Sequence, residues 1–116
     1  MCRFHNREPK YLHMSLHEYR MSLIDKFIGE EYYESVVHAA NYILSQCLSN
    51  GIIICSQNIY RISLVIFFIA AKVSMDFPHN VYLWAYFGGI SVKELKELEY
   101  DMLVFVNWNV IYFETL

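Results

Sequence analysis

The most hydrophobic part of the chain runs from Ile59 to Met75. Four polar side chains interrupt it: Arg61, Ser63, Lys72 and Ser74. Its longest unbroken apolar run, Leu64 to Ala71, has eight residues, whereas a membrane span takes about 18 or more. On a helical projection the apolar side chains point in almost every direction, as they do in a helix surrounded by others. The pattern predicts a central core helix over about residues 57–75.

A first helix is predicted over about residues 15–28. Ser15 and Glu18 have the spacing of a capping box, and Gly29 supplies a stop signal. Between these ends, apolar residues recur at helical intervals: Leu16, Leu23, Ile24, Phe27 and Ile28. This spacing predicts an amphipathic helix that lies on the core.

A second helix is predicted over about residues 31–48. It opens with acidic residues that suit the positive end of a helix dipole, and it closes at Asn50 and Gly51. Its predicted buried face consists of Val36, Val37, Ala40, Ile43, Leu44, Cys47 and Leu48. The β-branched residues 51–55 have no second strand to pair with, so they predict an extended connection. We expect Ser56 to cap the central helix that follows.

Two more helices are predicted after the central one. Asn80 is a suitable cap for a short helix over about 81–87, which two glycines end. Ser91 and Glu94 then form a second capping box, which predicts a fifth helix over about 92–106. Five helices with short connections predict an all-α fold, a compact bundle.

The predicted domain organisation is simple. A chain of 116 residues suits one domain with one core. Residues 1–14 hold no sustained periodicity and predict an N-terminal arm. Residues 15–110 are expected to form the helical domain, and residues 111–116 a C-terminal tail.

Three charged side chains occupy unexpected positions. Arg61 and Lys72 share one stripe of the central helix with two apolar residues. Glu99 falls inside the apolar arc of the fifth helix, where an unpaired ionised carboxylate would be costly if buried. Glu99 is therefore expected either to reach a cation or to lie on a surface that another molecule covers. An internal interpretation is open for Lys72, in which it extends from the core helix to water and Glu99 pairs with it to satisfy the bundle. Arg61 is expected to have a structural role, as partner of an acid on helix two or five.

Composition points to a protein partner. The chain is 56% hydrophobic and contains ten Tyr and eight Phe, which leaves apolar surface for contacts. Its net charge of −3 lacks the basic character of a nucleic-acid binder. No signal peptide or CxxC pair is recognisable, so we expect an intracellular location, in cytoplasm or nucleus. Cys47 and Cys55 are interpreted as small hydrophobic residues.

Metal-binding and catalytic functions are not favoured. Four residues have a loose metal-like spacing: Cys2, His5, His13 and His17. The first gap lacks the usual ligand spacing, and supporting turn residues are missing, so a solvated arm is preferred over a zinc site. No nucleophile–base pair or glycine-rich phosphate loop is present, which predicts a protein without enzymatic activity and without a cofactor.

Two motifs carry a resemblance to a known family. On the central helix the family's R-x-L…A-x-K pattern is echoed by Arg61, Ser63-Leu64 and Ala70-Ala71-Lys72. On the fifth helix its L-x-x-L-E…L…W/F-x-V/L pattern appears as Leu95, Leu98, Glu99, Leu103, Trp108 and Val110. The sequence thus resembles the cyclin box, the five-helix fold of regulatory subunits of cyclin-dependent kinases, from Met14 to Val110.

Within that family the sequence is most similar to the P/U-type cyclins, which include the cyclin of the fungal phosphate-signalling kinase. Three segments carry this similarity: Met14 to Tyr19, Asn58 to Arg61, and Phe87 to Ser91 with Glu94 and Leu95. One departure is clear. The family's Tyr-Ile-Asp-Arg on helix two is replaced by Tyr42-Ile43-Leu44-Ser45, which lacks the polar pair.

The resemblance implies a regulatory subunit that binds and activates a cyclin-dependent protein kinase, in cell-cycle control or phosphate signalling. It implies that Lys72 and Glu99 act together at the surface that receives the kinase's mobile regulatory helix. The neighbouring apolar contacts it implies are Val73, Leu103, Trp108 and Val110. On spacing alone Trp108 and Val110 fit core packing as well. The alternative function is a cyclin-fold adaptor without kinase activation, such as a transcription factor acting on DNA. No membrane, nucleic acid or small-molecule substrate is expected as a partner.

Overall fold

A computed structural model of the protein describes residues 14–56, 58–76 and 79–110. These residues form five α-helices and no strand: α1 (Leu16–Phe27), α2 (Gly29–Ser49), α3 (Ile59–Ser74), α4 (Val81–Gly88) and α5 (Val92–Phe105). The all-α, five-helix prediction is confirmed, with helix ends within two residues of their expected positions. The proposed arm, apart from Met14, and the tail lie outside the described residues.

Helix α3 is the centre of the bundle, as its apolar pattern predicted. It contacts each of the other four helices. An unbroken run from Leu64 to Ala71 is buried, together with Arg61 and Ile62. Since a helix can bury every face only when neighbours surround it, the position of α3 follows from its own composition.

The helix starts follow the local capping signals. Ser15 Oγ accepts the Glu18 N–H at 3.1 Å, and Ser91 Oγ accepts the Glu94 N–H at 3.0 Å. Asn80 Oδ1 accepts the N–H groups of Tyr82 and Leu83 at 2.9 and 3.3 Å. Each cap satisfies backbone donors that have no partner within their own helix.

The predicted cap of α3 at Ser56 is wrong. The helix begins at Ile59, and Asn58 is its N-terminal flanking residue. The Asn58 side chain accepts the Cys55 N–H and donates to the Ile53 carbonyl, both at 2.8 Å. Asn58 is 1% exposed, so its amide satisfies the backbone of the extended 52–55 connection where water cannot reach.

Two expectations for α2 are also corrected. The helix begins at Gly29 rather than residue 31, because Gly29 takes a φ of +72° and lets α2 start one residue after the buried Ile28. Leu48, predicted on the buried face, is 55% exposed. It lies in the last turn of α2 on the side away from the core, whereas its neighbour Cys47 in the same turn is fully buried.

Gly88 allows α4 to approach α3 closely. Its carbonyl accepts the buried hydroxyl of Tyr19 at 2.7 Å, which joins α1 to α4. A Cβ at Gly88 would lie 2.4 Å from Leu64 Cδ2, and Leu64 is fully buried. The surrounding core leaves that leucine no free space into which to move.

We therefore expect Gly88→Ala to lower the free energy of unfolding by about 1–2 kcal/mol, as overpacking outweighs the gain in helix propensity. Urea unfolding monitored by circular dichroism measures this change in the free energy of unfolding. In a Leu64→Ala background the same change should cost less, because the added methyl group then fills a cavity. An equal cost in both backgrounds would contradict the assigned contact.

Candidate partner-binding surface

The two cations of α3 both reach carboxylates on α5, but at different depths. Arg61 Nε lies 2.6 Å from Glu94 Oε2, and we call this the inner pair. Lys72 Nζ lies 2.5 Å from Glu99 Oε2, and we call this the outer pair. The side-chain exposures are 7% for Arg61 and 44% for Lys72, while each carboxylate is 19% exposed. Burial therefore separates two ion pairs that share a single helix stripe.

The inner pair is held by the start of α5. Glu94 gives its backbone N–H to the Ser91 cap, which places its carboxylate in the first turn of the helix. From there it meets the buried guanidinium of Arg61. Since a buried cation needs a partner, this contact has the geometry of an internal brace between α3 and α5.

The outer pair is accessible from solvent and lies close to an aromatic ring. The Lys72 ammonium lies 5.0 Å from the centroid of the buried Phe68 ring, within the range of a cation–π contact. The same ammonium keeps donor capacity beyond its contact with Glu99, since it carries three N–H groups. The pair can thus orient a polar group of an incoming molecule.

A groove with a volume of about 390 Å³ lies between α2, the end of α3 and Val110, and its lining mixes polar and apolar side chains. It includes Val73, the residue directly after Lys72. Val73, which is 39% exposed, and the half-buried Val110 contribute its apolar walls from α3 and the C-terminal segment. Helix α2 supplies the opposite wall: Glu34, Ser35, His38 and Ala39. The sequence did not predict this wall, because nothing local to α2 marks it as a neighbour of Val73.

Exposed apolar side chains continue the surface along α5. Tyr100 is 61% exposed and Val104 47%, and Trp108 beyond the helix is 59% exposed. The Trp108 ring meets Tyr100 edge-on, with 6.4 Å between centroids. Core packing is therefore excluded for Trp108, whereas Val110 and Leu103 are half-buried and pack against the core.

Tyr100 and Val104 were missed as candidate contact residues. Tyr100 lies on the exposed side of α5. An aromatic residue on a solvent face directly after the misplaced Glu99 was the available signal, since large exposed aromatic side chains are enriched at interfaces.

The structure places the predicted site residues in two groups: the outer pair with the groove beside it, and Leu103 with Trp108 at the end of α5. Lys72 and Glu99 form the outer pair, and Val73 and Val110 line one groove beside it. Leu103 lies one turn after Glu99 on α5, and its carbonyl accepts the Trp108 N–H at 2.7 Å. Trp108 itself packs on Tyr100. We call this whole region the α3–α5 surface.

Burial shifts the pKa values of Cys47 and His79. Desolvation raises the pKa of the Cys47 thiol to about 11, and its Sγ lies 3.2 Å from Met102 Sδ in the core. Desolvation lowers the pKa of His79, with a smaller contribution from the Lys72 charge, while a hydrogen bond to the Ala71 backbone opposes the shift. His79 also meets the Trp84 ring at 6.1 Å. Cys47 accordingly behaves as the small hydrophobic residue that the sequence indicated.

The lowered pKa of His79 predicts a pH dependence of stability. The unfolded chain binds the proton more tightly than the folded one, so stability falls as the pH drops below about 6.5 towards the folded-state pKa. A His79→Gln variant lacks this titration. We expect wild type to lose stability relative to His79→Gln between pH 7.5 and pH 5, measured by urea unfolding. A constant difference across that range would contradict the assigned environment.

The described residues contain neither a cluster of metal-ligating side chains nor a helix suited to cross a membrane. Within residues 14–56, 58–76 and 79–110, no three His, Cys, Asp or Glu side chains are grouped as metal ligands would be. Of the loosely spaced residues noted above, only His17 lies in this range, exposed on α1. None of the described helices has the length and apolar character needed to cross a membrane.

The fold and this surface define the class of protein. It is an all-α helical bundle with a half-exposed ion pair between α3 and α5 and with exposed apolar and aromatic side chains along α5. The model of the cyclin family matches residues 11–110. The chain therefore belongs to the cyclin family, whose members are in general regulatory subunits rather than enzymes.

Comparison with individual proteins agrees with this family. Cyclin-P1-1 from Oryza sativa subsp. japonica is 34% identical to the chain over 58 residues. That match covers 50% of this chain and 22% of the rice protein, so the chain matches less than a quarter of its relative's length. No solved structure matches the chain significantly.

Proposed function

We propose that this chain is a regulatory cyclin subunit that binds and activates a cyclin-dependent protein kinase through the α3–α5 surface. The observation that carries the proposal is the outer pair, in which Lys72 and Glu99 meet at 2.5 Å while remaining partly open to solvent. A pair needed only for internal stability gains little from such exposure. The pair's position next to Val73, which is 39% exposed and lines a groove, suits a partner instead.

The proposed contact residues have separate physical roles. Lys72 and Glu99 set the orientation of the partner, because charged groups at an interface contribute mainly specificity and register. The binding energy comes from apolar and aromatic contacts: Val73, Leu103, Trp108 and Val110, to which the geometry adds Tyr100. This division matches a surface with a polar centre and an apolar frame.

Activation follows from where such a partner helix would be held. A protein kinase needs a Glu of its mobile regulatory helix to pair with the Lys of its ATP site. A cyclin that binds the inward position of that helix better than the outward one shifts the kinase towards its active population. The chain needs no catalytic group of its own for this role.

We further propose that the chain is a P/U-type cyclin. The segments around Ser15, Arg61 and Gly89 support this assignment, and so does the identity to the rice P-type protein. An intracellular location, a role in phosphate signalling or the cell cycle, and a domain spanning residues 15–110 are parts of the same proposal.

Affinity purification of the tagged chain from its native cell, followed by a protein kinase assay on the eluate, tests the function. We expect a cyclin-dependent kinase in the eluate and phosphorylation activity that depends on the chain. Recovery of DNA or transcription proteins without any kinase would overturn the proposal in favour of a cyclin-fold adaptor.

A further inference from the structure

The turn that follows α5 is strained. Asn107 and Trp108 have φ angles of 55° and 60°, and apart from glycines no other residue in the described part of the chain has a positive φ. This left-handed region is unfavourable for side chains with a Cβ, and for a residue as bulky as tryptophan it is rare. Such a conformation persists only where the surrounding structure holds it.

Side chains of helix α2 form hydrogen bonds to this turn. The Tyr42 hydroxyl donates to Asn109 Oδ1 at 2.7 Å, and Asn109 Nδ2 donates to Gln46 Oε1 at 3.1 Å. One turn further along α2, Asn50 Nδ2 donates to the Phe105 carbonyl at 3.0 Å. Because Tyr42, Gln46 and Asn50 follow one another at intervals of four residues, they form a single polar stripe on α2, which we call the α2 stripe.

The α2 stripe forms hydrogen bonds to the chain on both sides of Trp108. Asn50 binds the last residue of α5, and Tyr42 with Gln46 binds the residue directly after the tryptophan. The indole between these anchors is 59% exposed and rests edge-on against Tyr100. Backbone hydrogen bonds also close this turn, among them the Trp108 N–H to the Leu103 carbonyl at 2.7 Å. Loss of the anchor at Asn109 removes the side-chain hydrogen bonds that add to them, so Asn107 and Trp108 can relax towards negative φ and turn the indole to another direction.

We infer that Asn109 is a positioning residue: by bridging Tyr42 and Gln46 it locks the left-handed turn that presents the Trp108 indole to the partner. The part of this inference that concerns the partner rests on the proposed kinase-binding function. A side chain preset in its bound orientation loses less conformational freedom on association, so the lock strengthens binding without touching the kinase.

The lock itself is tested without any partner. The chain contains two tryptophans, the buried Trp84 and the exposed Trp108, so incorporation of 5-fluorotryptophan gives one ¹⁹F resonance for each. We expect Asn109→Ala to shift or broaden the Trp108 resonance and to leave the Trp84 resonance in place. Asn41→Ala, an exposed asparagine of α2 outside the stripe, is the matched control and should change neither resonance.

Tyr42→Phe is the second variant, because it removes one hydroxyl and keeps the ring. It should move the Trp108 resonance in the same direction as Asn109→Ala. An unmoved Trp108 resonance in both variants would overturn the lock, whatever the kinase does. The unchanged Trp84 resonance reports that the core is still folded.

The effect on binding is tested by a double-mutant cycle with the kinase recovered by affinity purification. We expect Asn109→Ala to weaken binding about five- to tenfold when Trp108 is present, and to have no further effect in a Trp108→Ala background. An equal loss in both backgrounds would show that Asn109 does not act through the indole. A wild-type chain that binds no kinase would overturn the proposed function, while the ¹⁹F result would still decide the lock.

Discussion

Lys72→Glu is expected to abolish co-purification of the kinase while the helical content stays unchanged. The substitution places a carboxylate against Glu99, where the wild-type atoms are 2.5 Å apart, so the two side chains separate and the orienting pair is lost. Loss of a central interface residue costs about 2 kcal/mol or more, which is about thirtyfold in Kd. Folding stability should change by about 1 kcal/mol at most, because the pair is partly exposed.

The reverse substitution, Glu99→Lys, should have the same effect on binding. Lys93→Glu is the matched control for Lys72→Glu, since it makes the same charge change on an exposed part of α5 and should leave kinase binding intact. Co-purification followed by circular dichroism of each variant provides both measurements. Retained binding in both Lys72→Glu and Glu99→Lys would remove the outer pair from the interface.

The exchanged double variant, Lys72→Glu with Glu99→Lys, separates the two interpretations of the outer pair. If the pair served only the bundle, the exchange would restore both folding stability and kinase binding, because the ion pair forms again with its charges reversed. If the pair orients a kinase, the exchange restores stability but not binding, since the partner's groups then face the wrong charges. We expect the second result.

Glu94→Gln is expected to destabilise the fold by about 2–3 kcal/mol. Arg61 is 6% exposed, so removal of the Glu94 charge weakens the compensation of a cation in the core. Loss of one member of a fully buried pair costs about 3–5 kcal/mol, and the 19% exposure of the Glu94 side chain lowers this figure. Urea unfolding at pH 7 measures the change.

A second variant of the inner pair keeps this prediction testable. Replacing both residues by methionine removes the unpaired charge and retains apolar volume, so the double variant should recover much of the lost stability. Glu34→Gln is the matched control, because Glu34 is exposed on α2 and its charge should contribute little. A Glu94→Gln variant as stable as this control would contradict the role of the inner pair as a brace.

Helix positions were predictable because their signals are local. The caps at Ser15, Asn80 and Ser91 act on N–H groups two or three residues ahead, and apolar periodicity repeats within every turn. Asn58 shows where local reading fails. Ser56 was the predicted cap, but the buried Asn58 satisfies two backbone groups of the loop and α3 begins directly after it.

The candidate site was predictable in part. The misplaced charge of Glu99 and the cations on the α3 stripe indicated that these side chains needed partners. Which cation would reach which carboxylate depended on how α3 crosses α5. The outward direction of Trp108 likewise required the turn after α5, whose anchors on α2 have no signal in the neighbouring sequence.

The sequence by itself thus determined five helices, the central position of α3 and the presence of three charges that called for partners. The tertiary structure alone decided that Arg61 is internal and Lys72 accessible, that α2 forms a wall of the groove, and that Asn109 holds the turn carrying Trp108. The physical reason is the separation along the sequence over which each kind of interaction acts. Capping and periodicity act within about four residues, whereas these contacts join residues 27, 33, 63 and 67 positions apart. Only the packing of whole helices brings such residues together.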